Sequence, residues 1–181
     1  MVSSIILVDS SVPESEVLTP STRFGGKTLL EYMVDVLHSA CVLDIVIVIK
    51  AGSDEMMSRL NWFQGRILTQ TKGSDGEIAV VLAGAEVLEK KDLHGVMVCP
   101  ISHPFMTQAL IVELLQSFWK SKKRIVLPVH DEQNGYPQIL SCDLFDELKA
   151  LPSTSTLSNV VNAHVGDTYR LATGEKCAIL R

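Results

Sequence analysis

Short apolar runs rich in β-branched residues alternate along the chain with segments whose apolar positions recur at helical spacing. The runs are Ile5 to Val8, Ile45 to Ile49, Ile67-Leu68, Val96 to Val98 and Ile125 to Leu127. Continuous apolar character over so short a length marks a strand buried on both faces. Between the runs, Leu29, Leu30, Met33, Leu37 and Ala40 share one helical face. Ile78, Val81, Leu82 and Ala85 share a second, and Leu110, Ile111, Leu114, Leu115 and Phe118 a third. Strands alternating with amphipathic helices predict strand–helix–strand units and a mainly parallel sheet covered on both faces, an α/β fold.

Polar punctuation supports the same division. A helical pattern begins near Lys27, and Ser53 before Asp54-Glu55 and Thr107 before its apolar run read as N-caps, placing those helix starts just past strand ends. After Pro128 the pattern changes. Tyr136 to Leu140 reads as a short strand, Asp143 to Ala150 and Leu157 to Asn162 as short helices, and Val165 to Leu171 and Cys177 to Leu180 as closing strands. Leu151 to Thr156 is a polar loop inside the domain, because too little chain follows it to build a separate core.

Composition narrows the class. With 181 residues, 46% of them hydrophobic, the chain fits one domain over 1–181. No apolar run reaches the roughly 18–20 residues of a membrane helix, and Met1-Val2-Ser3-Ser4 lacks the basic start of a signal peptide, so the expected location is the cytoplasm. A net charge of −5 without a dense basic cluster argues against binding nucleic acid through its phosphates. Lys120 to Arg124, the one basic group, falls at the end of a predicted helix, where cations suit the dipole. Cys41, Cys99, Cys142 and Cys177 lie far apart and read as buried thiols in a reducing compartment. The five histidines show no metal-ligand spacing, which argues against structural zinc.

The candidate chemistry centres on the segment from Asp9 to Phe24, between the first run and the first helix, which contains no glycine. In nucleotide-binding α/β folds this loop wraps phosphates, using glycines so that backbone N–H groups come close and a cation to offset charge. Here Pro13 and Pro20 remove donors, and Glu14 and Glu16 add repulsion.

Phe24-Gly25-Gly26-Lys27-Thr28-Leu29-Leu30-Glu31-Tyr32-Met33-Val34-Asp35-Val36-Leu37, followed by Asp44 to Ile49, resembles the "GGKPLLEHVL … DEVVVV" segment of the MobA-like nucleotidyltransferases that attach CMP or GMP to molybdopterin. Gly76, Ala83 and Gly84, then Pro104-Phe105-Met106-Thr107, Gly135-Tyr136-Pro137 and Leu144 to Leu148 match in the same order, so the resemblance covers nearly the whole chain. It implies a three-layer α/β/α, Rossmann-like (GT-A-like) fold, with CTP or GTP over the carboxyl edge of the strands and Mg²⁺ bridging its phosphates. Such chemistry depends on neutralising charge on phosphate oxygens.

Measured against that family, the chain departs at three places. The first loop has Asp9-Ser10-Ser11 where the family has Ala-Gly with Arg and Lys downstream. After the central strand, Ile101 and Ser102 stand at the glycine and aspartate of the family's Gly-Asp-x-Pro, and a serine cannot replace a carboxylate's charge on Mg²⁺. The family's Asp-Ile-Asp segment has no counterpart before Arg181, and its serines ahead of Ala83-Gly84 are Ala79 and Val80.

Candidate residues follow, each beside its ordinary structural role. Asp9 could hold a metal or form a turn, and His103 could serve as acid, base or nucleotide contact or be a plain loop histidine. Ser10, Ser11, Lys27, Lys72, Gly73 and Ser102 are candidate nucleotide or ligand contacts, set against turn chemistry, helix entrance and surface loop. Tyr136, in a strong turn signal, either stacks on a ligand or covers the core. Ser102 and His103 are adjacent, but neighbours on an extended backbone point apart and no G-x-S-x-G is present, which argues against a hydrolase.

These departures predict a nucleotidyltransferase-like protein without metal-dependent transfer, acting as a ligand- or partner-binding paralogue. The alternative is an active CTP/GTP:molybdopterin nucleotidyltransferase in which Asp9 and His103 take over metal and phosphate duties, and only there do Mg²⁺ and CTP or GTP enter as cofactors. A structural subunit without a ligand is the third reading. Candidate partners are a nucleotide or pterin, a protein partner or a homo-oligomer; nucleic acid and membranes are not expected.

Overall fold

A computed structural model describes residues 1–8, 23–49, 60–69, 76–88, 92–152 and 154–174. Strand β1 (Val2–Val8) starts before its apolar run because Ser3 and Ser4 find partners inside the fold. Ser3 Oγ donates to Asp44 Oδ2 at 2.8 Å and Ser4 Oγ to the Met97 carbonyl at 3.2 Å. A buried hydroxyl satisfied in this way costs little, so the strand extends through both serines.

Beyond β1, a two-stranded hairpin, β2 (Arg23–Phe24) and β3 (Lys27–Thr28), leads into α1 (Leu29–Ser39). Gly25 and Gly26 form its turn with φ of +59° and +86°, a left-handed pair that glycine adopts without steric cost. The helical pattern expected from near Lys27 therefore starts at Leu29, capped by Thr28. Next come β4 (Ile45–Ile49), β5 (Arg66–Thr69), α2 (Glu77–Val87), β6 (Gly95–Pro100) and α3 (Gln108–Ser121). The later part holds β7 (Ile125–His130), β8 (Gln133–Asn134), β9 (Gln138–Ser141), α4 (Phe145–Lys149), α5 (Leu157–Ala163) and β10 (Thr168–Ala172).

Among the described residues the main sheet runs β10-β7-β9-β6-β1-β4-β5, with β8 paired to β7. The pairings β1–β4, β1–β6, β4–β5 and β7–β10 are parallel; β9 runs antiparallel between β6 and β7. The carboxyl ends of β1, β4, β5, β6, β7 and β10 thus share one edge, and the amino end of β9 joins them there.

Alternation along the strands divides the core between the two faces. Ile6 and Val8 pack with Leu30, Met33, Leu37, Leu110, Ile111 and Leu114 of α1 and α3. Ile5 and Leu7 pack with Ile78 and Val81 of α2 and with Leu157 and Val160 of α5. The result is the three-layer α/β/α arrangement expected, built on a sheet of mostly parallel strands.

Several local expectations need correction. The short strand starts at Gln138 rather than Tyr136, because Tyr136-Pro137 belong to the turn before it, with a cis peptide bond between them. Asp143 to Ala150 is a 3-10 turn over Cys142–Leu144 followed by α4, and Val165–Asp167 is another such turn ahead of β10. Cys41 is exposed rather than buried, since it occupies the left-handed turn (φ 62°) that ends α1. Cys99 is buried and Cys142 half-buried. The expected cap at Ser53 and the strand Cys177 to Leu180 lie outside the described residues. No helix among the described residues is long and apolar enough to cross a membrane.

Candidate active-site edge

The carboxyl ends of β1 and β6 meet side by side, where Leu7 pairs with Pro100 and the Ile101 N–H donates to the Leu7 carbonyl at 2.8 Å. The chain then turns at once, the His103 N–H donating to the Pro100 carbonyl at 2.9 Å. That turn overturns the expectation that Ser102 and His103 point apart. They lie on a reversal, not on extended backbone, and Ser102 Oγ stands 3.0 Å from His103 Nδ1 within hydrogen-bonding range. Both side chains are half-buried.

His103 has a second neighbour from a distant part of the chain. Its ring centroid lies 4.8 Å from that of Tyr136 at an interplanar angle of 47°. The Tyr136 hydroxyl donates to Glu77 Oε1 at 3.0 Å, and Glu77 Oε2 accepts from the Leu157 N–H at 2.9 Å. Tyr136 therefore packs on the core while its ring meets His103 at the edge. Below it, Gln138 Nε2 donates to the Gly135 carbonyl at 3.1 Å and holds the turn.

Sequence reasoning missed Glu77. Its one local signal is an acid on the first turn of a helix, behind a Gly76 N-cap without a side-chain acceptor. Its partners are 59 and 80 residues away and leave no mark in local pattern.

On the other face of the sheet, the Tyr32 hydroxyl of α1 donates to the Met106 carbonyl at 2.8 Å. Thr28 and Glu31 form a capping box: the Thr28 N–H donates to Glu31 Oε2 at 2.6 Å, and Thr28 Oγ1 accepts from the Glu31 N–H at 3.2 Å. The backbone bond from Thr28, and then its hydroxyl, hold the Glu31 carboxyl below its ordinary value. Lys27, a candidate anion contact, forms an ion pair with Asp35 on the second turn of α1, which raises its pKa.

Asp9, Ser10, Ser11, Lys72 and Gly73 lie outside the described residues. Of the sequence-derived candidates within them, Ser102 and His103 come together and Lys27 is drawn toward α1. After β6 the chain offers a divalent cation the neutral hydroxyl of Ser102 rather than a carboxylate, and no group of three or more His, Cys, Asp or Glu side chains among the described residues could hold a metal ion.

Comparison with known proteins agrees with the fold. No curated protein sequence matches the chain. Rv0371c of Mycobacterium tuberculosis H37Rv, solved in complex with manganese, superposes with a TM-score of 0.76 at 12% identity, covering 95% of this chain and 88% of that one. 4-Diphosphocytidyl-2C-methyl-D-erythritol synthase of Anaerococcus prevotii gives 0.73 at 16% identity, covering 99% and 91%. Molybdopterin-guanine dinucleotide biosynthesis protein A of Archaeoglobus fulgidus gives 0.68 at 16% identity, covering 95% and 83%. At such identities the likeness establishes the nucleotidyltransferase fold. The profile of the MobA-like NTP transferase domain matches residues 20–168, and the chain belongs to that family.

Proposed function

We propose that this protein has lost metal-dependent nucleotidyl transfer and acts as a paralogue that binds a small ligand, a nucleotide or a pterin, or a partner protein through the carboxyl-edge cleft. The observation that carries this reading is Ser102. At the end of the strand beside β1, where the family resemblance puts an aspartate, the chain offers a neutral hydroxyl paired with the His103 imidazole. A hydroxyl cannot supply the charge by which a carboxylate holds a divalent cation. The glycine-free composition of the loop from Asp9 to Phe24 supports the same reading. In this reading ligand contacts come from Ser10, Ser11, Lys27, Lys72, Gly73 and Ser102, with His103 at the centre, and the protein works in the cytoplasm.

The test is direct. Incubation with CTP or GTP, Mg²⁺ and a pterin acceptor is expected to release no pyrophosphate above a protein-free control; release would overturn the proposal. In separate samples that hold CTP or GTP and Mg²⁺ without pterin, a rise in melting temperature identifies a nucleotide as the ligand, by mass action on the folded state. An unchanged melting temperature removes the nucleotide as the ligand and leaves a pterin, a protein partner or no ligand.

A further inference from the structure

Glu77 is the one described carboxylate at the carboxyl edge that touches two other segments of the chain at once, and neither contact is explained by helix formation alone. The Leu157 N–H is one of the donors that the first turn of α5 leaves without an intrahelical acceptor. Thr156 and Asn159 form their own capping box on that helix, and Glu77 Oε2 supplies the acceptor for Leu157 at 2.9 Å. This contact braces α5 against α2. The other oxygen does something different: it receives the Tyr136 hydroxyl at 3.0 Å, and the phenol ring so anchored lies 4.8 Å from the His103 imidazole.

An ionised acceptor strengthens such a bond relative to a neutral one. Packing on the core holds the body of the Tyr136 ring, and the hydrogen bond to Glu77 adds a tether at its hydroxyl end that limits how far the ring can tilt or slide. The imidazole therefore meets a tethered ring on one side and the Ser102 hydroxyl at Nδ1.

We propose that Glu77 is a positioning residue for His103, acting through Tyr136. A carboxylate on α2 thereby sets the orientation of a group at the end of β6 that it does not touch. The consequence for ligand binding rests on reading the cleft as a ligand site, but the placement of the imidazole does not, and the experiment reads the placement alone.

Long-range ¹H–¹⁵N spectra of the full chain, with the His103 signals assigned by their loss in His103→Gln, report the imidazole directly. The carbon-bound ring protons of His103 are expected to be displaced by the ring current of the phenol, with Tyr136→Leu giving the undisplaced reference. Glu77→Gln keeps a hydrogen-bonding group opposite the phenol in either amide orientation, and is expected to retain the displacement even where the melting temperature falls. Glu77→Ala is expected to lose the larger part of it, as is Tyr136→Phe. The double variant is expected to match Tyr136→Phe alone, because both changes break one path. A Glu77→Ala protein that melts earlier but keeps the His103 signals of the parent would overturn the proposal, leaving Glu77 as a brace for α5. Additive displacements in the double variant would overturn it as well. Should Glu77→Ala fail to fold, Tyr136→Phe decides: with Leu157 still capped, unmoved His103 signals refute the positioning role. No nucleotide enters these measurements, so their failure is separate from a failure of the binding reading.

Discussion

Gly84 of α2 stands so close to Ile5 of β1 that a methyl group on its Cα would lie 2.9 Å from Ile5 Cδ1 and 3.0 Å from Ile5 Cγ2. Val48 Cγ2 would be 3.0 Å away on the other side. The helix approaches the sheet at the distance that a missing side chain permits. Gly84→Ala is therefore expected to destabilise the protein by about 1–3 kcal/mol, the usual cost of overpacking, despite alanine's better helix propensity. Urea unfolding measures it, and a neutral or stabilising result would mean that α2 can lift from β1 without loss.

Ser102→Asp restores a carboxylate at the end of β6, beside the carboxyl end of β1. With CTP or GTP present, this variant is expected to gain a thermal stabilisation that requires Mg²⁺ or Mn²⁺ and vanishes with chelator. At ligand about 100 times its Kd such binding adds about 2.7 kcal/mol. A response to metal and nucleotide no different from that of the parent protein would show that residue 102 does not govern metal binding in this chain.

The cysteines differ in a way that a thiol reagent can read. Cys41 is exposed and is expected to react in the folded protein. Burial pushes the Cys99 thiol up to about 12, and Cys99 is expected to react only as fast as the fold opens. Burial and the neighbouring Asp143 raise Cys142 as well, placing its rate between the two. Mapping labelled peptides by mass over time checks the order, and early modification of Cys99 would contradict its packing.

The capping box on α1 carries a pH signature. A carboxyl whose folded pKa lies below its unfolded value adds stability above the unfolded value and loses it as pH falls through the folded one. Glu31 is such a group, so its contribution is whole at neutral pH and fades as the pH drops below 4.5 toward its lowered folded value. Glu31→Gln is expected to be less stable than the parent at neutral pH, by no more than the roughly 0.5–2 kcal/mol of a helix cap, and to converge with it in acid. A stability difference that stays constant across the acid limb would assign the loss to packing instead.

Strands β1, β4, β6 and β7 could be read from the chain because burial on both faces makes them continuously apolar, and helical spacing identified α1, α2 and α3 for the complementary reason. What pattern could not reveal depends on partners far along the chain. The extension of β1 through Ser3 and Ser4 needs Asp44 and Met97. The meeting of Ser102 and His103 needs a turn whose hydrogen bond to Pro100 is invisible in residue type. Cys41 looked like a core thiol because cysteine is usually buried, yet a left-handed turn exposes it. At the candidate site, Ser102 and His103 could be named from the family resemblance, whereas the acid that anchors their neighbour Tyr136 could not.

Strand β9 ties together two parts of the chain that are otherwise separate in the sheet. It is the seam of the sheet: among the described residues β1, β4, β5 and β6 all come from the first 100 residues, β7, β8, β9 and β10 all from residues 125–172, and only the antiparallel β6–β9 pairing joins the two groups. His103 follows β6 on one side of that seam, and Tyr136 precedes β9 on the other. The ring pair exists only in a chain whose two halves have docked, so neither half can assemble this edge alone, and an intact His103–Tyr136 contact reports that the seam has closed.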